Sequence, residues 1–181
     1  RVCILTSSLE STFCAGADLA EISKGNARAL STKEGGFAGL VKYPRTKPWI
    51  AAVRGNALAG GCELPLSCDM IVAADNSRFG LPEVKRGIFA GGGGVFRLPR
   101  ALPRNIALEI VATGDPLPAE RLYQLGLINH MVPSDQVLGE AHALAAQISV
   151  NAPLAVRKSL EGARQAYDGT EEDLWKASNE A

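Results

Sequence analysis

The chain has 181 residues, 46% of them hydrophobic and 21% charged, which is enough for one domain with a buried core. Lysine plus arginine and aspartate plus glutamate each total 19, so the net charge is zero and predicts binding to neither nucleic acid nor an anionic membrane. No apolar run reaches the roughly 18 residues of a membrane-spanning helix.

The predicted elements alternate between strands and helices before giving way to helices alone. In chain order, the predicted strands cover residues 2–6, 49–53, 69–74, 79–81 and 127–132. The predicted helices cover residues 19–23, 37–43, 60–67, 105–113, 118–125, 134–149, 153–167 and 170–181. The composition of residues 7–17 and 87–94 predicts loops, and that of residues 25–36 predicts a mobile segment. This order indicates an α/β fold in which helices cover a sheet, followed by an all-helical C-terminal part.

The cysteines and the first residues indicate a reducing compartment. The four cysteines form no C-x-x-C pair and have no histidine-rich partner set, so we expect no zinc site. The opening stretch, RVCILT, lacks the apolar region and cleavage site of a secretory signal, and we predict a cytoplasmic protein. Because the chain opens directly into a strand-like run without an initiator methionine, we expect it to begin inside a larger domain.

Glu63 and Glu83 are the strongest candidates for chemistry. Each closes a short segment of apolar residues and glycines rather than standing in a charged run. Burial raises the pKa of a carboxyl group and suits it to proton transfer, so two such groups facing one pocket could act as general acid and general base. Buried structural glutamates would give the same pattern.

Two turns of small residues could hold a developing oxyanion. Gly60 and Gly61 open the predicted helix that carries Glu63, and the first N–H groups of a helix have no intrahelical partner. The segment FCAGAD at positions 13–18 follows a strand and ends at Asp18, a suitable helix cap. Taken alone, the first turn is better explained as tight packing and the second as a loop and cap.

Other motifs predict no further catalytic site. The four glycines at positions 91–94 lack the G-K-[ST] of a phosphate loop and the strand and helix of a dinucleotide site, which favours a pliable loop. His130 and His142 are isolated, which favours core or surface roles. No serine stands in a G-x-S-x-G context, so a serine triad is not expected.

Taken together, the segments resemble the crotonase, or enoyl-CoA hydratase/isomerase, superfamily. The matching motifs are FCAGADL at 13–19, KPWIAAVRG at 47–55, AGGCEL at 59–64, FGLPE at 79–83, TGD at 113–115, AER at 119–121 and GLIN at 126–129. Their order and spacing hold over nearly the whole chain, which makes the set far more specific than any one motif. The resemblance implies a ClpP/crotonase-like spiral of ββα units, with a core over residues 1–133 and a helical trimerisation region over residues 134–181.

The resemblance also implies a reaction on acyl-CoA thioesters. In this family two backbone N–H groups hold a thioester enolate, and they correspond here to Ala17 and Gly60. Glu63 matches the residue that activates water for attack at C3, and Glu83 the residue that gives a proton to C2. Possession of both glutamates favours an enoyl-CoA hydratase of fatty acid β-oxidation over an isomerase, which often keeps only the second. No metal or cofactor is implied, since coenzyme A belongs to the substrate.

Further binding positions carry over from the same motifs. The backbone near the adenine corresponds to Ala15, Asp18 and Leu19, and Gly91 corresponds to the position beside the catalytic water. The acyl pocket and the oxyanion turn are implied to include Leu58, Leu81, Pro82 and Gly61.

Three alternatives to this hydratase remain open. The segments GGFAGL at 35–40 and GVFRLP at 94–99 are similar to carnitinyl-CoA dehydratases, whose quaternary ammonium substrate would favour an aromatic or acidic lining. Trp49, Phe37 and Phe89 are candidates for such a lining. The other two alternatives are an enoyl-CoA isomerase and a non-catalytic CoA-binding protein.

The chain departs from the family pattern in several places. Pro65 stands in the helix that carries Glu63, and Ala90 stands where many members have proline. The family's domain begins about fifty residues earlier and ends later, so we expect both terminal segments of the family domain to be absent. The family assembles as a trimer or a dimer of trimers, which the resemblance implies here.

Overall fold

Two four-stranded sheets form the centre of the molecule. The computed structural model describes residues 1–179. The first sheet is entirely parallel in the order β1-β5-β7-β10, with strands Cys3–Thr6, Trp49–Val53, Met70–Ala74 and His130–Val132. The second has the order β2-β6-β8-β9, with strands Thr12–Cys14, Asn56–Leu58, Arg78–Gly80 and Leu117–Pro118, of which β9 is antiparallel to β8. A small hairpin pairs β3, Ser31–Thr32, with β4, Gly36–Phe37.

The chain passes from the first sheet to the second three times. Strand β1 leads to β2, β5 to β6 and β7 to β8, and each pair adds one strand to both sheets in parallel register. Helix α2, Gly60–Ser67, follows the second pair. This repeat is the spiral of ββα units that the resemblance implied.

The sequence of β5 explains why both faces of the first sheet are buried. Because side chains alternate along a strand, Ile50 and Ala52 face one way and Ala51 and Val53 the other. The first pair packs in a cluster with α6, Val137–Ser149, and the second pair joins the larger core with the rest of the fold. All four residues are fully buried, which suits the uninterrupted apolar run of a central parallel strand.

The remaining helices cover the sheets and extend the C-terminal end. Their bounds are Leu19–Ser23 for α1, Gly94–Ala101 for α3, Arg104–Thr113 for α4, Ala119–Gln124 for α5, Pro153–Gln165 for α7 and Glu171–Asn179 for α8. Short 3₁₀ turns cover Ala27–Leu30, Pro82–Arg86 and Ser134–Gln136. Within residues 1–179, no helix has the length and apolar character needed to cross a membrane.

The last helices bury little of their apolar surface. Within the part of α7 that the structure describes, no residue is buried, and Leu154 is 73% exposed. The helix is tied to the core mainly through Arg164, whose guanidinium donates two hydrogen bonds of 2.8 Å to the Asp69 carboxylate.

Several predicted elements require correction. The predicted helix 37–43 does not form: Phe37 ends β4 and residues 38–42 form turns, because Ala38 and Gly39 both adopt positive φ angles, of 54° and 68°. Strand β2 lies inside the predicted loop 7–17. The predicted mobile segment 25–36 contains a 3₁₀ turn and a strand, and the predicted loop 87–94 is followed directly by the unpredicted helix α3. The predicted helix 170–181 is described only as far as residue 179.

Candidate active site

Helix α2 fixes the position of Glu63 at the floor of a pocket. The helix follows β6 and starts at Gly60, where the Cys62 and Glu63 amides donate to the Ala59 carbonyl at 2.8 and 3.2 Å. Residues 60–65 are all buried, and Glu63 is 3% exposed. The carboxylate is therefore held on a rigid, enclosed element.

The glycine loop before α3 supplies the partners of the Glu63 carboxylate. Its Oε1 atom accepts a 2.8 Å hydrogen bond from the amide of Gly94. Burial raises the pKa of Glu63 above its ordinary value, while the amides of Gly94 and Gly92 and the charge of Arg97 act in the opposite direction. These donors favour the ionised form that a general base needs.

Glu83 lies in the 3₁₀ turn after β8 and has a different environment. It is 7% exposed, and within residues 1–179 its buried Oε2 atom has no hydrogen-bond partner. Burial raises its pKa, its own backbone amide lowers it, and the charge of Glu63 raises it. The amide donor at Glu63 and the unpartnered oxygen at Glu83 give the two carboxyl groups different environments, as a general base beside a general acid requires.

The start of α2 lies directly against the loop that follows β2. A Cβ atom built on Gly16 would lie 3.0 Å from the Gly60 nitrogen and 2.9 Å from Ala59 Cβ, and one built on Gly61 would overlap the Cys14 carbonyl. Only glycine permits this approach, and Gly16 also has a φ of 97°. The close packing brings the segment containing Ala17 beside the first turn of α2.

Ala59 marks strain at the same point. Its φ of 52° and ψ of −131° are uncommon for a residue with a side chain. Its amide donates a 2.9 Å hydrogen bond to the Gly80 carbonyl, which ties the start of α2 to the strand that leads to Glu83. The two glutamate-bearing elements are therefore joined through the backbone.

A pocket of about 860 Å³ opens over both glutamates. This volume is within the range of small-molecule sites. Nine of the predicted site residues line it: Ala15, Ala17, Leu19, Leu58, Gly60, Glu63, Pro82, Glu83 and Gly91. Glu63, Glu83 and the two predicted oxyanion residues therefore face one space.

The other three predicted site residues lie outside the pocket lining. Asp18 caps α1, with its Oδ1 atom accepting from the Ala20 amide at 2.8 Å. Gly61 packs against β2, as described above, and Leu81 is buried beside Gly94. All three are next to lining residues and support the pocket wall.

The pocket also contains residues that the sequence analysis did not assign to it. Two aromatic residues considered there, Phe37 and Phe89, do line the pocket, whereas Trp49 lies outside it and stacks with Arg45 at 5.1 Å. Four cationic residues line the pocket: Lys33, Lys42, Lys85 and Arg86. A cluster of positive charge in the sequence would have identified these positions. Lys33, Lys42 and the adjacent Lys85 and Arg86 are instead far apart along the chain and come together only at the pocket.

Other candidate groups have ordinary structural environments. Burial raises the pKa of the Cys62 thiol to about 12, so this neighbour of Glu63 stays protonated and is a poor nucleophile. His130 on β10 contacts Glu140 of α6 at 2.5 Å and is outside the pocket. Among residues 1–179, no group of three or more histidine, cysteine, aspartate or glutamate side chains is arranged to hold a metal ion.

Pro65 lies in the interior of α2. It is the sixth residue of the helix, which begins at Gly60, and is therefore beyond the first turn, where a missing N–H costs no hydrogen bond. An intrahelical hydrogen bond to the Gly61 carbonyl is therefore lost.

Comparison with known proteins gives consistent matches over nearly the whole chain. The family model described as enoyl-CoA hydratase/isomerase matches residues 1–180. A mevalonyl-coenzyme A hydratase of Aspergillus fumigatus is 44% identical over 169 residues, which cover 92% of this chain and 62% of the relative. A carnitinyl-CoA dehydratase of Proteus mirabilis is 43% identical over 157 residues, covering 86% of this chain and 60% of the relative. The chain thus spans about three fifths of the length of these curated relatives.

The fold is similar to that of solved structures with related names. The crystal structure of an enoyl-CoA hydratase from Mycobacterium tuberculosis superposes with a TM-score of 0.93 at 44% identity, covering 99% of this chain and 69% of that one. The crotonase fold expected from the sequence motifs is confirmed.

Proposed function

The chain belongs to the enoyl-CoA hydratase/isomerase family, and from this premise we propose that it adds water reversibly to a trans-2-enoyl-CoA, giving a 3-hydroxyacyl-CoA. One observation carries the proposal: Glu63 has backbone amide donors, whereas Glu83 has a buried, unpartnered Oε2 within residues 1–179. The two environments separate an ionised base from a protonated acid in one pocket.

The proposed reaction uses both glutamates and the backbone. Glu63 takes a proton from water, whose oxygen forms the new bond to C3 while the C2–C3 double bond opens toward the thioester. The amides of Ala17 and Gly60 hold the resulting enolate oxygen, and Glu83 gives its proton to C2. The OH group of water is then on C3 and the proton of Glu83 on C2, and a proton passes from Glu63 to Glu83 through solvent to restore the starting state. We propose that the addition is syn. Removal of one oxyanion donor typically costs about 10²–10³ in rate.

The proposed substrate is an acyl-CoA thioester, and the residues above need no metal ion or additional cofactor for these steps. The four cationic side chains that line the pocket would balance the negative charge of the CoA phosphates. The remaining predicted site residues are proposed as substrate contacts or as their supports.

A second candidate is hydration of crotonobetainyl-CoA, the reverse of carnitinyl-CoA dehydration. Phe37 and Phe89 in the pocket could contact a quaternary ammonium group, and several similar proteins are named carnitinyl-CoA dehydratases. The only carboxylates lining the described pocket are Glu63 and Glu83, which leaves no separate anionic partner for that group.

The proposed assembly is a homotrimer or a dimer of trimers. The helical region of residues 134–181 is proposed as its interface and residues 1–133 as the core that carries the site. The exposed apolar residues near α7, Leu154 and Val150, at 73% and 83% exposure, support an interface there. A cytoplasmic location and a role in β-oxidation belong to the same proposal. Sedimentation analysis of the protein would test its assembly.

Absorbance of the conjugated enoyl thioester provides the direct test. The protein should reduce this absorbance when mixed with crotonyl-CoA and restore part of it when mixed with 3-hydroxybutyryl-CoA. Unchanged crotonyl-CoA together with conversion of a 3-enoyl-CoA to a 2-enoyl-CoA would identify an isomerase instead. Binding of CoA without turnover of either substrate would support the non-catalytic alternative. A panel of short, long and crotonobetainyl thioesters would then rank the two hydratase candidates.

A further inference from the structure

The side chain of Arg97 connects two separate walls of the pocket. Arg97 lies on α3, immediately after the glycine loop. Its Nη1 atom donates to the Gly92 carbonyl at 3.0 Å, and its Nη2 atom donates to the Val41 carbonyl at 2.6 Å. A single planar guanidinium therefore holds the glycine loop and the turn that follows β4 in one arrangement.

The glycine loop is confined between Arg97 and the Glu63 carboxylate. A Cβ atom on Gly92 would overlap the Glu63 carboxylate, and one on Gly93 would overlap the Arg97 guanidinium. Gly93 also has a φ of 109°, which disfavours any residue with a side chain. A shift of the Arg97 side chain would therefore shift the loop backbone that contacts the Glu63 carboxylate.

The charge of Arg97 has few competing partners. Among the described residues, Arg97 forms no ion pair within 4.0 Å, and its two hydrogen bonds go to neutral carbonyl groups. Burial lowers the pKa of Arg97, the charges of Arg45 and Arg100 lower it further, and the charge of Glu63 acts in the opposite direction. The Arg97 guanidinium and the Glu63 carboxylate therefore contact adjacent residues of the same glycine loop.

We propose that Arg97 is a positioning residue for Glu63: its two-pronged contact aims the amides of Gly92 and Gly94 at the carboxylate. The catalytic part of this inference rests on the proposed hydration, in which Glu63 is the base. The placement of the amides by Arg97 does not depend on any activity. Arg97 itself does not line the pocket and need not touch substrate.

Few other titratable groups lie near Glu63 and affect its protonation. Arg97 faces it from α3 and Glu83 from the 3₁₀ turn, while β2 contributes the thiol Cys14 to the packing around α2. Cys62 precedes it on α2 and stays neutral, as its pKa is about 12. The charge of Glu63 raises the pKa of Glu83, and Arg97 is the side chain whose charge lowers the pKa of Glu63.

The experiment measures the Glu63 titration directly. Glutamate side chains are labelled with carbon-13 at the carboxyl, and Glu63→Gln identifies the Glu63 signal in the NMR spectrum. The titration is then recorded for wild type, Arg97→Gln and Arg97→Lys, with Arg100→Gln as a matched control. Arg100 lies one turn along the same helix, is exposed and pairs with Asp168 at 3.3 Å.

The three variants have distinct expected results. Arg97→Gln should move the Glu63 titration to higher pH, because the amides that favour the carboxylate lose their alignment and a nearby positive charge is removed. Arg97→Lys should move the titration in the same direction by a smaller amount, because the charge remains while the amides lose their alignment. It should still lower kcat about tenfold to a hundredfold with little change in KM, because lysine has no planar fork to span both carbonyls. Arg100→Gln should match wild type in both measurements.

Two results would overturn the inference. An unchanged Glu63 titration in Arg97→Gln contradicts the placement of the amides by Arg97 even if the protein hydrates no substrate. Full kcat in Arg97→Lys contradicts the positioning part, and this variant also serves if Arg97→Gln does not fold. Absence of hydration by wild type would overturn the proposed function, while the titration would still decide whether Arg97 controls Glu63.

Discussion

The Oε1 atom of Glu63 accepts a 2.8 Å hydrogen bond from the amide of Gly94, which lies 31 positions further along the chain. This contact joins α2 to the start of α3 and leaves the pocket-lining carboxylate with a fixed orientation. Replacements on either side of the contact should therefore alter catalysis more than stability.

Gly92→Ala should reduce hydration strongly while leaving the fold intact. The added Cβ would overlap the Glu63 carboxylate and displace it from the pocket. A displacement of about 1 Å can cost on the order of a hundredfold in rate, so we expect kcat to fall by about that factor. Steady-state kinetics with crotonyl-CoA would measure the change.

Gly139→Ala is the matched control for that substitution. Gly139 lies within α6, and a Cβ there meets no atom within 4 Å. Alanine should raise the free energy of unfolding by about 0.5–1 kcal/mol without changing kcat. Equal loss of activity in the two alanine variants would contradict the overlap at Glu63 as the cause.

Ala59→Gly should stabilise the protein. Positive φ at Ala59 is expected to cost about 1–3 kcal/mol, which glycine would relieve. The greater conformational freedom of glycine in the unfolded chain opposes this gain by about 0.5–1 kcal/mol. We expect a net increase of about 1 kcal/mol in the free energy of unfolding, measured by urea denaturation. Ala57→Gly, at a fully buried position in strand β6, should have the opposite sign. A destabilised Ala59→Gly would show that the backbone there is not strained.

Stability should decrease as pH rises through the range in which the two glutamates ionise. Burial raises both folded-state pKa values, so the unfolded chain releases these protons first, near the ordinary glutamate value of about 4.3. Above that pH the folded state binds more protons, and the free energy of unfolding falls until the folded groups have also ionised.

The doubly substituted protein, Glu63→Gln with Glu83→Gln, isolates this effect. Urea denaturation at a series of pH values from about 4.3 upward should show wild type losing stability relative to the variant. A stability difference that stays constant or moves the other way would mean that the folded-state pKa values are not raised.

The parts of the site that could be predicted from sequence depend on local chemistry. The Gly60–Ser67 bounds of α2 follow from two glycines before an apolar run, and the Asp18 cap follows from its position before α1. The structure places both glutamates in one pocket with Gly60 and Ala17, as the motif order implied.

The parts that could not be predicted depend on distant contacts or on unusual backbone. The turn at residues 37–43 has a helical apolar spacing, but positive φ at Ala38 and Gly39 ends any helix there. Helix α3 was hidden by its preceding glycines and by Pro99. Arg97 donates to the carbonyl groups of Val41 and Gly92. The sequence around Arg97 does not indicate the contact with Val41, which lies 56 positions earlier in the chain.

The central claim is that Glu63 and Glu83 add water to an enoyl-CoA, and the initial rate of crotonyl-CoA absorbance loss in Glu63→Gln tests it most directly. Glutamine is nearly isosteric but cannot accept the proton from water, so we predict a fall in kcat of about 10²–10⁴ with crotonyl-CoA binding retained. Gly139→Ala, assayed in parallel, should keep the wild-type rate. Hydration by Glu63→Gln at the wild-type rate would contradict the account.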